Sequence, residues 1–155
     1  MAKSFNLTVR NLVYRLRKFK SILDQELKNE ILRHEDVIVE MITQGQLYEL
    51  GIEGRGREIM SYMPYRPRTI KKKLKKGQPT NRVTLKDTGS FYASLHVEFD
   101  DDGFYVTSTQ EKAKFLLKKY GKTIFRLTDQ NLKTLLDNCI RPSLKEKMKE
   151  YIKNG

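Results

Sequence analysis

The 155-residue chain has no tryptophan, one cysteine and two histidines. A single cysteine excludes an intramolecular disulfide, and with His34 and His96 as the two histidines no zinc-ligand spacing exists. Cys139 lies among Leu135, Leu136 and Ile140 and reads as a small buried hydrophobe. No apolar run approaches the roughly 20 residues needed to cross a bilayer, so no membrane partner is expected. The opening Met1-Ala-Lys-Ser-Phe lacks the apolar core of a secretory signal, and the chain reads as intracellular or assembled inside a cell.

Catalytic constellations are equally scarce. His34 and His96 fall on different elements with no Ser or Cys at a recognisable spacing. Asp100-Asp101-Asp102 ahead of Gly103 has the composition of a hairpin turn and supplies too few oxygens for calcium. Gly51-x-x-Gly54-x-Gly56 lacks the flanking strand and helix of a dinucleotide site and the terminal Gly-Lys-Ser/Thr of a triphosphate loop, and reads as a flexible turn. No enzyme, cofactor or metal is expected.

What the chain does have is positive charge in one place. Of a net charge of +12, ten units fall between Arg55 and Lys86, where Glu58 is the lone acid. Gly56, Pro64, Pro67, Gly77 and Pro79 punctuate the same stretch. The pattern predicts one long basic loop over 53–86, poorly packed over 53–82 until it orders in an assembly, with a turn or two of helix over Thr69–Lys76 made marginal by like-charge repulsion. Arg66, Arg68, Lys71, Lys72, Lys73, Lys75 and Lys76 are the candidate polyanion-facing residues, acting collectively. Tyr62 and Tyr65 suit an alternative reading, a nonspecific nucleic-acid module that stacks bases. A third reading leaves the lysines as a solvated tether.

The remaining pattern is α+β: a small antiparallel sheet with a central hairpin, flanked by N-terminal and C-terminal helices, in a single domain over 1–155. Leu12, Leu16, Phe19, Leu23, Leu27 and Ile31 form one helical stripe over 11–32. Residues 37–42 fit a strand or a helix start, with Thr43 as N-cap of a short helix closed by Gly51. Residues 87–155 read as a helix-hairpin-helix core with a C-terminal helix. Asp87 and Thr88 cap a helix from Gly89 through Ser94, and strands at 95–99 and 104–108 follow. A helix over Lys112–Tyr120 ends at Gly121, Thr123-Ile124-Phe125 is extended, and Thr128 caps a last helix that Pro142 interrupts.

The segment Thr88-Gly89-Ser90-Phe91-Tyr92-Ala93-Ser94-Leu95 resembles the Thr-Gly-x-hydrophobic-x-x-Ser-hydrophobic element of tailed-phage tail-completion, head–tail joining and virion-morphogenesis proteins. The resemblance extends over roughly residues 37–153. It takes in Gln46-Leu47-Tyr48-Glu49-Leu50-Gly51-Ile52 upstream, then Tyr62, Thr69, Lys71 and Lys73, and Lys119-Tyr120-Gly121 and the Pro142 helix downstream. It implies a virion structural protein of the neck, assembled in the host cytoplasm as a homo-oligomeric ring. Its partners would be portal, connector or tail proteins, with packaged DNA in the lumen. The element Asp87, Thr88, Gly89 and Ser94 is then structural, and the lysines face the channel.

Overall fold

A computed structural model describes residues 8–154 and has mixed helix and sheet, as the pattern predicted. The single domain expected over 1–155 is subdivided into two compact units, one from residues up to His34 and from Thr134 onward, the other from Glu35–Lys133.

The first unit brings together an early and a late stretch of the chain. Helix α1 (Val9–Arg33) starts where the Thr8 hydroxyl accepts the Asn11 amide at 3.3 Å. It packs on α8 (Arg141–Asn154), with the Phe19 and Tyr151 rings 5.8 Å apart. Along the α1 stripe Phe19 and Ile31 are buried and Leu12, Leu23 and Leu27 half-buried, whereas Leu16 is exposed beside Val9 and Val13. The fully buried Glu30 carboxylate lies 2.9 Å from Lys147 Nζ, which also pairs with Glu26. Burial pushes the Glu30 carboxyl up, but hydrogen bonds from Ser143 and Lys147 outweigh it and hold the group below its ordinary range. Pro142 does not end the helix. The turns at Leu136–Ile140 just before it widen to π geometry, and α8 continues through the ring.

In the second unit the ambiguous 37–42 is helix: α2 (Glu35–Glu40) runs without a break into wide π turns over Met41–Leu50. Ile38, Ile42 and Leu47 are fully buried. The step of five from Ile42 to Leu47 returns to the same face only in the wider turn. Thr43 is therefore interior, its hydroxyl donating to the Val39 carbonyl at 2.7 Å, and is not the expected N-cap. Gly51, left-handed at φ 66°, closes the element.

Strands β1 (Leu95–Asp100) and β2 (Gly103–Ser108) pair antiparallel, with Val97 opposite Val106 and Glu98 opposite Tyr105. The two valines are buried, while the Tyr105 hydroxyl donates to Glu98 at 2.7 Å on the solvent face, so period two sorts the faces as expected. Asp100 Oδ1 accepts the Asp102 and Gly103 amides at 2.9 and 3.0 Å, which makes the acidic tip a turn. Helix α6 (Lys112–Tyr120) stops at Gly121. Lys122–Phe125 is a 3-10 turn and not the extended segment expected, because Ile124 and Phe125 both go to the core. Thr128 caps α7 (Asp129–Leu135), accepting the Asn131 amide at 3.2 Å. The buried Gln46 side chain secures that turn, donating to the Arg126 carbonyl at 3.0 Å and accepting from the Thr128 amide at 2.8 Å and Asn131 Nδ2 at 2.9 Å.

Candidate polyanion-binding helix

The stretch expected to be a loose loop is folded and packed. Ile59 opens α3 (Ile59–Tyr62), Pro67 opens α4 (Pro67–Lys75), and Ile59, Tyr65, Val83 and Thr84 are buried. Proline at the first helical position surrenders no hydrogen bond, and the lysines of the last turn face the negative end of the helix dipole. These terms offset the repulsion on which the loop expectation rested. The turn preceding α3 is also fixed. Glu53 is fully buried, and its Oε1 accepts the Arg55 and Arg57 amides at 3.1 and 3.3 Å. Gly54 donates its amide to the Thr123 carbonyl at 2.8 Å. A Cβ on Gly54 would come within 2.6 Å of both Arg126 Cβ and the Arg126 carbonyl, so this glycine marks a close approach and not a flexible turn.

The seven cations singled out in the sequence separate into three sets. Lys73 points inward. Only 8 % exposed, it donates to the Lys86 carbonyl at 2.8 Å, Gln78 Oε1 at 3.2 Å and the Thr84 hydroxyl at 3.3 Å, and lies 5.1 Å from the Tyr65 ring centroid. It is a structural anchor and is withdrawn from the polyanion-facing set. Lys72 and Lys76 both pair with Asp87, at 3.3 Å for Lys72. The hydrogen bond from Lys76, helped by Lys72, holds the Asp87 carboxyl below its ordinary range against the opposing effect of burial. Arg66, Arg68, Lys71 and Lys75 are exposed and have no partner among the described residues. Arg68, Lys71 and Lys75 follow the i, i+3, i+7 rhythm, one outward row about 10 Å long.

Thr84 is the node beneath this row. Its amide donates to the Tyr65 hydroxyl at 2.9 Å, and its carbonyl accepts the Tyr92 hydroxyl. Its own hydroxyl accepts from Lys73 and from the Lys86 amide. These bonds hold Leu85 in the left-handed region at φ 56°. Burial pushes the Tyr92 phenol well above its usual range, so it stays a donor at any physiological pH. The tyrosines offered for base stacking are engaged: Tyr65 is buried on Thr84, and Tyr62 lies under the Arg57 guanidinium at 4.3 Å with its hydroxyl on the Tyr120 carbonyl.

The Thr-Gly element is structural in a different way from that expected. The carboxylate of Asp87 serves the lysines and caps no helix. Gly89, at φ 93°, occupies the N-cap of α5 (Ser90–Ala93) without a side-chain cap, while the Thr88 hydroxyl accepts the Ser90 amide at a long 3.4 Å. Ser94 closes the other end, donating to the Phe91 carbonyl at 2.7 Å and meeting the Ser108 hydroxyl at 2.6 Å. Sequence reasoning missed Thr84, Gln78 and Tyr92. The one available signal was the placement of Lys73 three residues after the half-buried Ile70, on the inner face of α4. Among the described residues no cluster of His, Cys, Asp or Glu could hold a metal, and no helix is long and apolar enough to cross a membrane.

Comparison with protein-family models, with curated proteins and with solved structures finds no match to this chain.

Proposed function

We propose that the chain is a structural protein of a tailed-phage neck, forming a ring around the DNA channel. In this reading α4 turns Arg66, Arg68, Lys71 and Lys75 toward packaged DNA or toward an acidic neighbouring ring. The observation that carries the proposal is the unpaired outward row on α4, built on a buried lysine in a fold that is otherwise close to charge-neutral. A helical basic ridge whose neighbouring Tyr62 and Tyr65 are already engaged suits phosphates and not bases, since every duplex sequence offers the same charge spacing of roughly 1.7 Å per phosphate along the axis. The Thr88–Leu95 resemblance adds the neck context.

Two measurements test it. Negative-stain microscopy of the purified chain should reveal rings, and a uniform monomer would count against the reading. A variant carrying Arg68→Gln, Lys71→Gln and Lys75→Gln should keep its thermal stability but fail to support head–tail joining or DNA retention in a particle-assembly assay. Normal particles from that variant would reduce α4 to a solvated face.

A further inference from the structure

The hairpin has two edges, and they are treated differently. In an antiparallel pair, alternate residues turn their N–H and C=O away from the partner strand. The two-residue tip makes Asp100 and Gly103 a hydrogen-bonded pair, and the Thr109 amide donates to the Ser94 carbonyl in the same phase. Outward groups on β1 therefore belong to Leu95, Val97 and Phe99, and those on β2 to Phe104, Val106 and Ser108. The β1 edge is covered: the Val97 amide donates to the Glu35 carboxylate at 2.6 Å, with α2 packed alongside. On β2 the outward amides and carbonyls of Phe104 and Val106 have no partner among the described residues. A cleft of about 720 Å³ runs along that edge, floored by Leu117, Phe125, Leu127 and Leu132 and bordered by Lys122 and Arg126.

We propose that the outer edge of β2 is the docking site for an extended segment of a partner protein, which adds a third strand to the hairpin. Its alternate apolar side chains enter the cleft and its carboxylates meet Lys122 and Arg126. Two strands alone are marginal, and a third over an apolar floor completes a sheet of ordinary stability. Charge selects the occupant: both exposed basic residues at the cleft are cationic against a single Asp100, and Arg126 holds Asp129 only through an exposed pair at 3.2 Å that a partner carboxylate can replace.

The test uses the full chain with Arg68→Gln, Lys71→Gln and Lys75→Gln, so that α4 does not capture an acidic probe. The probe is a fluorescein-labelled Val-Glu-Val-Asp-Val-Glu-Val peptide, with a lysine-for-acid version and a version with proline at its centre as controls. The acidic peptide should bind and slow amide exchange at Phe104 and Val106 by at least about tenfold, leaving Tyr105, already in the ladder, unchanged. The proline version, which lacks a ladder donor, should not bind. Lys122→Glu with Arg126→Glu, both exposed, should shift preference to the lysine peptide by about tenfold or more. Absence of binding, unaltered exchange at Phe104 and Val106, or an unchanged preference after charge reversal would overturn the proposal. So would protection of those amides by the chain alone at rising concentration, which would assign the edge to a second copy.

Discussion

Replacing Lys73 by methionine removes one positive charge, as the same change at Lys71 or Lys75 does, yet the three variants should behave differently. At Lys73 the loss strands the Lys86 carbonyl and weakens the pairing of Thr84 and Gln78, all within 3.3 Å of the ammonium. A hydrogen bond to a charged group is worth about 1.5–3 kcal/mol net, and a stranded acceptor costs up to about 1–3 kcal/mol, less at the part-buried Lys86 carbonyl and Gln78 than at the buried Thr84. Relief of the ammonium's own desolvation offsets part of this, so the net loss is about 2–4 kcal/mol. For a chain of this size that lowers Tm by roughly 4–16 °C. Lys71→Met and Lys75→Met remove exposed, unpaired cations and should stay within about 0.5 kcal/mol of the parent. Binding to a short duplex across a salt series completes the comparison. Each outward variant should reduce the log–log slope by about 0.9, whereas folded Lys73→Met keeps the parent slope. Thermal denaturation placing Lys73→Met level with Lys71→Met would refute the anchoring argument.

Three further outcomes follow from other contacts. Asp87→Asn releases Lys72 and Lys76, so polyanion affinity should rise and the salt slope steepen by up to about 2 units in a duplex titration, while the exposed pairs lost cost no more than about 1 kcal/mol each. Gly54→Ala forces a Cβ against the Arg126 backbone and should destabilise by about 1–3 kcal/mol in chemical denaturation, without changing polyanion binding. The Glu98 hydrogen bond raises the His96 imidazole above its ordinary 6.5. A raised folded value means the stabilisation is complete below 6.5 and fades as pH climbs through that raised value, so thermal stability should decline with pH in that window and the decline should vanish in His96→Gln.

The hairpin was legible because period two and an acidic tip ending in Gly103 admit one solution, and the end of α6 was legible from Gly121. Thr128 announced its cap by lying just ahead of an apolar rhythm. The π turns over Met41–Leu50 escaped because a five-residue step from Ile42 to Leu47 matches neither helical nor strand templates. The fate of the cations escaped for another reason. A lysine stem can be buried as readily as exposed, and the choice at Lys73 is made by Thr84 and Lys86, 11 and 13 residues further along. Composition located the basic region, but only tertiary contacts could sort its outward residues from its anchor.

The pairing of α1 with α8 carries a consequence for biosynthesis. Helix α1 leaves the ribosome before the α8 residues that receive Phe19, Glu26 and Glu30, because Lys147 and Tyr151 follow only after the whole of Glu35–Lys133. At elongation speeds of about 5–20 residues per second, the nascent α1 waits several seconds with its apolar stripe in water. A stalled or prematurely terminated chain would therefore present quality-control proteases with a finished central unit trailing an orphaned amphipathic helix. Incomplete copies would be marked by an α1 that has no α8 to pack on.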